Sequence, residues 1–146
     1  MQGAHRSQVS MILVDSNVVL DVFLGRAPFV HASQRLLTRI ERGAVEACLA
    51  GHSVTTVHYL CERYVDDATA RRAIDFLLQH FSIAAITRGV LVRAQGLARP
   101  DFEDAVVAAA AEAAHCAWIV TRDQSGFAPI PVPPIAPEEF LDRSEP

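Results

Sequence analysis

Three aspartates stand where carboxylates can act together, although most of the chain separates them. Asp15 directly follows the apolar run Ile12-Leu13-Val14, and Asp123 lies three residues beyond Trp118-Ile119-Val120. Asp104 falls in the first turn of an alanine-rich segment opened by Asp101. In a parallel open sheet, the carboxyl ends of the strands and the starts of the following helices gather along one edge, where ligands bind. Three carboxylates in one cleft repel, and some stay protonated unless a cation joins them. Oxygen donors with no His or Cys cluster nearby favour Mg2+ or Mn2+ over Zn2+. Such a site suits phosphodiester hydrolysis, because the metal lowers the pKa of a bound water and screens the charge building on phosphorus. Each aspartate alone has an ordinary explanation. Asp15 can cap a helix, Asp104 can complement a helix dipole beside Asp101 and Glu103, and Asp123 can be a turn residue. The shared edge is what argues for a site.

The elements that must position these residues can be read from the hydrophobic pattern. Ile12–Val14 reads as a strand stopped by Asp15-Ser16-Asn17, and Val18, Val19, Val22 and Phe23 follow at helical spacing up to Gly25 and Pro28. A second amphipathic helix covers 29–42, with Phe29, Ser33, Leu36, Leu37 and Ile40 on one face and a closing Gly43. Arg35, Arg39 and Arg42 share its other face. A strand is expected over 45–50, then a helix through Tyr64 capped by Ser53, and another from Asp66-Asp67 to Phe81. Strands over 83–86 and 118–120 flank a short helix over 90–97 and a long one from Asp101 to about His115. The span 130–135, broken by Pro131, Pro133 and Pro134, can only be an edge strand, and Pro137-Glu138-Glu139 starts a last short helix through Leu141. Short apolar strands alternating with helices predict an α/β fold: a central parallel sheet of about five strands with helices on both faces.

The 146 residues suit one domain, here 11–141, preceded by a polar leader over 1–10 and followed by a tail over 142–146. No apolar run is long enough to span a membrane, and the first residues lack the apolar stretch of a signal peptide. Cys48, Cys61 and Cys116 lie far apart with apolar neighbours and read as buried free thiols, which points to the cytoplasm. The net charge of −4 is unlike the basic excess of most nucleic-acid binders. All thirteen basic residues are arginine, whose guanidinium forks suit phosphate.

The segments MILVDSNVVLDV, PDFEDAVVAAAAEA and WIVTRD, in that order, resemble the motifs of the PIN domain. The likeness is particularly to the VapC-like toxins, the ribonuclease halves of prokaryotic toxin–antitoxin pairs. It extends to Gly25-Arg26-Ala27-Pro28-Phe29-Val30 and to a closing Ile-Pro-Val and Pro-Glu-Glu-Phe-Leu stretch, and so covers residues 11 to about 141. The resemblance implies a PIN-like, Rossmann-like three-layer fold and a Mg2+- or Mn2+-dependent endoribonuclease. It implies RNA as substrate, a small antitoxin as partner and self-association as a homodimer. Asp15, Asp104 and Asp123 would be the metal ligands, with Ser16 and Asn17 fixing the turn beside Asp15.

The chain departs from the family pattern in two places. The Glu usual on the helix after the second strand falls here on His58 or Tyr59, with Glu62 one turn further as a possible substitute. The acidic residue often found near Gly126 is absent. Asp101 is a candidate outer-shell group or a cap, and Asp21 reads as a solvated helix position. His80, His115 and Trp118 need no more than structural roles. Arg122, Arg35, Arg39 and Arg42 are candidates for phosphate contacts. Two rivals remain: a nucleic-acid-binding or regulatory PIN fold with lost catalysis, and a phosphatase-like hydrolase using Asp15 as nucleophile. The second would want a basic residue to bind the transferred phosphate, and the chain has no lysine.

Overall fold

The computed structural model describes residues 10–127 and 131–144. Five strands form one parallel sheet: β1 (Ile12–Val14), β2 (Ala47–Ala50), β3 (Ser82–Ala84), β4 (Trp118–Val120) and β5 (Pro134–Ile135). The helices are α1 (Ser16–Phe23), α2 (Val30–Glu41), α3 (Gly51–Tyr64), α4 (Asp67–His80), α5 (Arg88–Gly96), α6 (Phe102–Ala113) and α7 (Pro137–Ser144), with a 3-10 turn at Gln124–Phe127. The strand order is β3-β2-β1-β4-β5. Leu13 pairs with Cys48 on one side and Ile119 on the other, and Val120 pairs with Ile135.

Alternation along the strands divides the buried side chains between two cores. Ile12, Val14, Leu49 and Val120 face a cluster containing Val18, Leu36, Val57, Leu77 and Leu141, drawn from α1–α4 and α7. Leu13, Cys48, Ala50 and Ile119 face the opposite cluster, built from α5 and the Ala105–Ala111 run of α6. The alanines let α6 lie close to the sheet, and this helix is buried along most of its length. The expected helices on both faces are therefore present.

Several boundaries differ from the sequence expectation. The strand expected over 45–50 begins at Ala47, and the one expected over 83–86 is Ser82–Ala84. Ser53 does not cap α3. The helix starts at Gly51 with Ala50 at the cap position, and Ser53 is buried within it. A Cβ at Gly51 would stand 3.4 Å from Ile86 and 3.5 Å from the Ala84 carbonyl, ordinary contact distances, so the helix begins beside β3 without glycine being required there. The long helix ends at Ala113, with His115 in the left-handed region at φ 59°. The proline-rich segment does supply an edge strand, shorter than expected. It pairs through the Pro133 and Ile135 carbonyls, which accept from Ile119 and Thr121 N–H at 2.9 Å, a role that needs no proline donor. Ile130, expected in that strand, lies outside the described residues. The closing helix runs on to Ser144, so residues 142–144 are helical rather than tail, while the expected leader lies outside the described residues except for Ser10. No helix among the described residues is long and apolar enough to cross a membrane. Cys48, Cys61 and Cys116 are all buried, and the first and last of these stand 3.5 Å apart, sulfur to sulfur, across the sheet–α6 layer.

Candidate functional site

Strand order reverses between β1 and β4. From β1 the chain winds outward through β2 to β3, then returns to place β4 on the other side of β1. At such a switch point the loops leaving two neighbouring strands part and open a crevice at their carboxyl ends. Asp15 leaves β1 there, and Thr121-Arg122-Asp123 leaves β4.

Asp15 is 9% exposed. Its Oδ1 accepts from the Ser16 backbone N–H at 2.8 Å, which makes it the cap of α1, and its Oδ2 accepts from the Thr121 hydroxyl at 2.9 Å. Capping and site-building are therefore not alternatives for this residue. Thr121 is itself fully buried. Besides donating to Asp15, its hydroxyl accepts from the Asp123 backbone N–H at 3.0 Å and from Asn17 Nδ2 at 3.4 Å. One hydroxyl thus fixes the carboxylate after β1 to the backbone after β4. Asn17 closes the turn from the other side, accepting from the Arg122 N–H at 3.5 Å.

Asp104 enters from the first turn of α6. Asp101 caps that helix, its Oδ1 accepting from the Glu103 and Asp104 N–H groups at 2.9 and 3.3 Å. A Cβ built on Gly126 would stand 2.9 Å from Asp104 Oδ2 and 3.1 Å from Asp123 Oδ2. The two carboxylates thus converge on a position that has no side chain of its own. Arg99 donates to the Gly126 carbonyl and holds the turn. Ser125 Oγ donates to Asp123 Oδ1 at 3.0 Å.

The charges respond to one another. Burial and the negative charges of Asp101, Asp15, Asp123 and Glu103 push the Asp104 carboxyl up to about 6. Burial also raises Asp15, with its two hydrogen bonds opposing and Glu103 and Asp123 adding to the rise. Asp15, Asp104 and Asp123 therefore share one electrostatic neighbourhood, with Glu103 and Asp101 at its rim. Among the described residues, no group of three or more His, Cys, Asp or Glu side chains is already drawn together so as to hold a metal ion. The donor set nonetheless fits a hard cation: it consists of oxygens, it repels itself, and two of its members flank the open position at Gly126. A carboxylate oxygen that already accepts one hydrogen bond keeps a second lone pair, so Asp15 remains able to ligate.

The structure does not bring every expected residue to this crevice. Glu62 is exposed in the last turn of α3, where its charge reaches Arg71 of α4; it is not among the acids acting on Asp15 or Asp104. His58 is half-buried and Tyr59 exposed on the same helix. Asp101 serves as a cap whose charge presses on Asp104. Arg35, Arg39 and Arg42 line a groove with His31, Gln34 and Thr38 on the outer face of α2.

The expectation for Asp21 is corrected. It is fully buried, not solvated, because Arg122 comes 101 residues along the chain to meet it. The guanidinium donates to both oxygens, Nε to Oδ2 at 2.6 Å and Nη2 to Oδ1 at 3.0 Å, with Arg26 a further 3.8 Å neighbour. Arg122 also stacks over Phe29, its guanidinium carbon 4.0 Å from the ring centroid. Its charge is committed inside the protein, which bears on its candidacy as a phosphate contact.

His52 was missed in the sequence. It stands in the first turn of the helix that leaves β2, at the same carboxyl edge as Asp15, and that placement was the available signal. Its Nε2 lies 3.9 Å from Glu103 Oε2, and both ring nitrogens are buried without a hydrogen-bond partner. Burial lowers its pKa against the opposing pull of Glu103, which favours the neutral ring.

The model of the PIN domain matches residues 11–125 of this sequence. The chain belongs to the PIN-domain family. Solved structures agree on the fold. A toxin–antitoxin complex from Klebsiella pneumoniae superimposes with a TM-score of 0.66 at 22% identity, covering 86% of this chain and 97% of that one. VapC20 of Mycobacterium tuberculosis, described as a toxin cleaving the sarcin–ricin loop, gives 0.66 at 17% identity over 80% and 93%. VapBC2 of Rickettsia felis, bound to a fragment of its promoter DNA, gives 0.62 at 12% identity over 86% and 98%. The sequence matches no curated protein.

Proposed function

We propose that this PIN domain is a metal-dependent endoribonuclease and the toxin of a toxin–antitoxin pair. The observation that carries this reading is the crevice between β1 and β4. There Asp104 and Asp123 converge on Gly126, Asp15 is held beside them by Thr121, and burial together with the neighbouring carboxylates holds Asp104 up at about 6. Asp15, Asp104 and Asp123 would hold Mg2+ or Mn2+. When bound, the cation supplies an activated water and screens charge on the phosphorus. The protein's share is orientation. Thr121 aims Asp15, the Asp101 cap fixes the first turn of α6 and with it Asp104, and the bare Gly126 leaves room between two carboxylates.

The partners follow from the family and its neighbours. A small antitoxin protein would cover the site, as the likeness to toxin–antitoxin complexes supports, and the chain would act on RNA in the cytoplasm as a homodimer. Arg35, Arg39 and Arg42 on α2 offer a track for RNA phosphates. Glu62 as a ligand has no support from its exposed position.

Cleavage of varied single-stranded RNAs with Mg2+ or Mn2+ tests this reading, with EDTA and Asp104→Asn each expected to abolish the products. The second reading is a nucleic-acid-binding PIN fold without catalysis. It is favoured by His58 or Tyr59 standing where the family has Glu, and it would be upheld by metal-dependent stabilisation with no cleavage of any RNA. The phosphatase-like reading loses ground, because the chain has no lysine to bind a transferred phosphate and Arg122, next to Asp123, is paired with Asp21.

A further inference from the structure

Beside the acidic crevice lies a second, largely apolar hollow of about 390 Å³, lined among others by Phe29, Ser33, Arg122, Ala136, Pro137 and Glu138. It is joined to the site through the chain itself, since Arg122 immediately precedes Asp123. We propose that this hollow is a nucleobase subsite, receiving the base of a nucleotide beside the scissile phosphate and favouring bases that carry an exocyclic amine. The proposal rests on the ribonuclease reading above and extends it to substrate selection.

Three observations point to a base. Phe29 is 42% exposed although apolar, and it is stacked with the Arg122 guanidinium. The bidentate pairing with Asp21 fixes the plane of that guanidinium. A rigid aromatic–guanidinium wall is a surface on which an unstacked RNA base can lie. Because Asp21 already answers its charge, Arg122 offers a flat face here rather than a free cation for phosphate.

Ser33 supplies the second observation. Its residue is fully buried, yet its hydroxyl finds no hydrogen-bond partner in the protein, and it lines this hollow. A buried hydroxyl left unpaired is destabilising and asks for a partner from outside. A base edge, with donors and acceptors in its plane, provides one. The third observation is the exposed Glu138, a carboxylate that can only accept. It suits an exocyclic amine, as carboxylates suit the amine of cytosine, and it opposes the carbonyl that uracil presents in the same place.

The test uses the intact protein in EDTA with the four nucleoside 5′-monophosphates, followed by amide chemical shifts. AMP, CMP and GMP are expected to perturb residues 29–33 and Arg122, and UMP to bind about tenfold more weakly. Ala136→Trp, which fills the hollow, should abolish these shifts. Ser33→Ala should weaken binding without lowering the melting temperature, because it removes an orphan hydroxyl and no contact. No nucleotide-induced shift at these residues, equal binding of UMP, or unaltered binding by Ala136→Trp overturns the proposal, and the first result leaves the hollow to a protein side chain. RNA cleavage with an unchanged base preference in Ala136→Trp would sink the subsite alone. Nucleotide binding with no cleavage of any RNA would sink the nuclease reading alone.

Discussion

The Thr121 hydroxyl donates to Asp15 Oδ2 at 2.9 Å, joining residues 106 positions apart where the sheet changes direction. The same oxygen accepts from the Asp123 N–H. Thr121→Val keeps the shape of the side chain and removes both of these bonds and the longer one from Asn17 Nδ2. It leaves a buried carboxylate oxygen and a backbone donor short of partners, at a cost of about 1–3 kcal/mol for such a group. Metal affinity or cleavage should fall about 10–100-fold, as when a group that orients a ligand is lost. Thr121→Ser should restore most of both. Equal activity in Thr121→Val and the parent protein would show that Asp15 needs no such anchor.

The buried pair between Arg122 and Asp21 makes a different prediction, about stability. Removing Arg122 strands Asp21, which is fully buried and keeps only Arg26 at 3.8 Å. Arg122→Met should cost about 3–5 kcal/mol, the range for stranding one member of a buried pair. Combining it with Asp21→Leu should recover much of that loss, since apolar replacement of both partners is often tolerated. Denaturant unfolding of the two single variants and the double variant gives the coupling directly. A simple sum of the single losses would mean that the pair contributes nothing specific.

Much of this fold can be read along the chain, and most of what builds the site cannot. Trp118–Val120 stands out as a strand because its apolar, β-branched run stops at polar residues, and Asp15 is visible as the residue after such a run. Asp21 is different. On α1 it has the local pattern of a solvated acid, and only a guanidinium from the far end of the chain makes its burial tolerable. Thr121 looks like an ordinary strand terminus, because neither of its site contacts is encoded by spacing. Ser53 has the sequence of a helix cap but is overruled, because the helix already starts at Gly51 directly after β2 and Ser53 is buried within it. Glu62 was reachable by helical periodicity from His58. Periodicity gives a shared face but no position along the axis, and one turn further puts Glu62 at an exposed place where its charge reaches Arg71 of α4.

Gly126→Ala probes the gap between Asp104 and Asp123. The new methyl group would meet Asp104 Oδ2 at 2.9 Å, closer than real contacts allow, and Asp123 Oδ2 at a tight 3.1 Å, so the Asp104 carboxylate must move. Gly126 is not in the left-handed region, so the backbone should accept alanine and the fold should survive. Cleavage should drop about 10²-fold, the scale of a misplacement near 1 Å. Circular dichroism confirms the fold while RNA cleavage reads the loss. Full activity would mean that the two carboxylates need not share that space.

The raised Asp104 carboxyl makes the last prediction, in which protons and metal act in opposite directions. Asp104 titrates at about 6 in the folded chain against an ordinary 3.8, so the folded state holds this proton more tightly than the unfolded state. Its contribution to stability is therefore full below about 3.8 and lost as pH rises through about 6. Asp15, raised mainly by burial, works in the same direction. Without divalent cations, Asp104→Asn should melt with the parent protein near pH 4 and above it at pH 7. Mg2+ or Mn2+ should reverse that order at pH 7. A cation binding only the folded state stabilises by RT ln(1 + [L]/Kd), about 2.7 kcal/mol at one hundred times Kd, and Asp104→Asn should lose most of that gain. Monovalent salt at matched ionic strength controls for screening of the clustered charges. If Asp104→Asn melts like the parent protein at every pH, with and without metal, the carboxylates are not coupled and the crevice does not hold a cation.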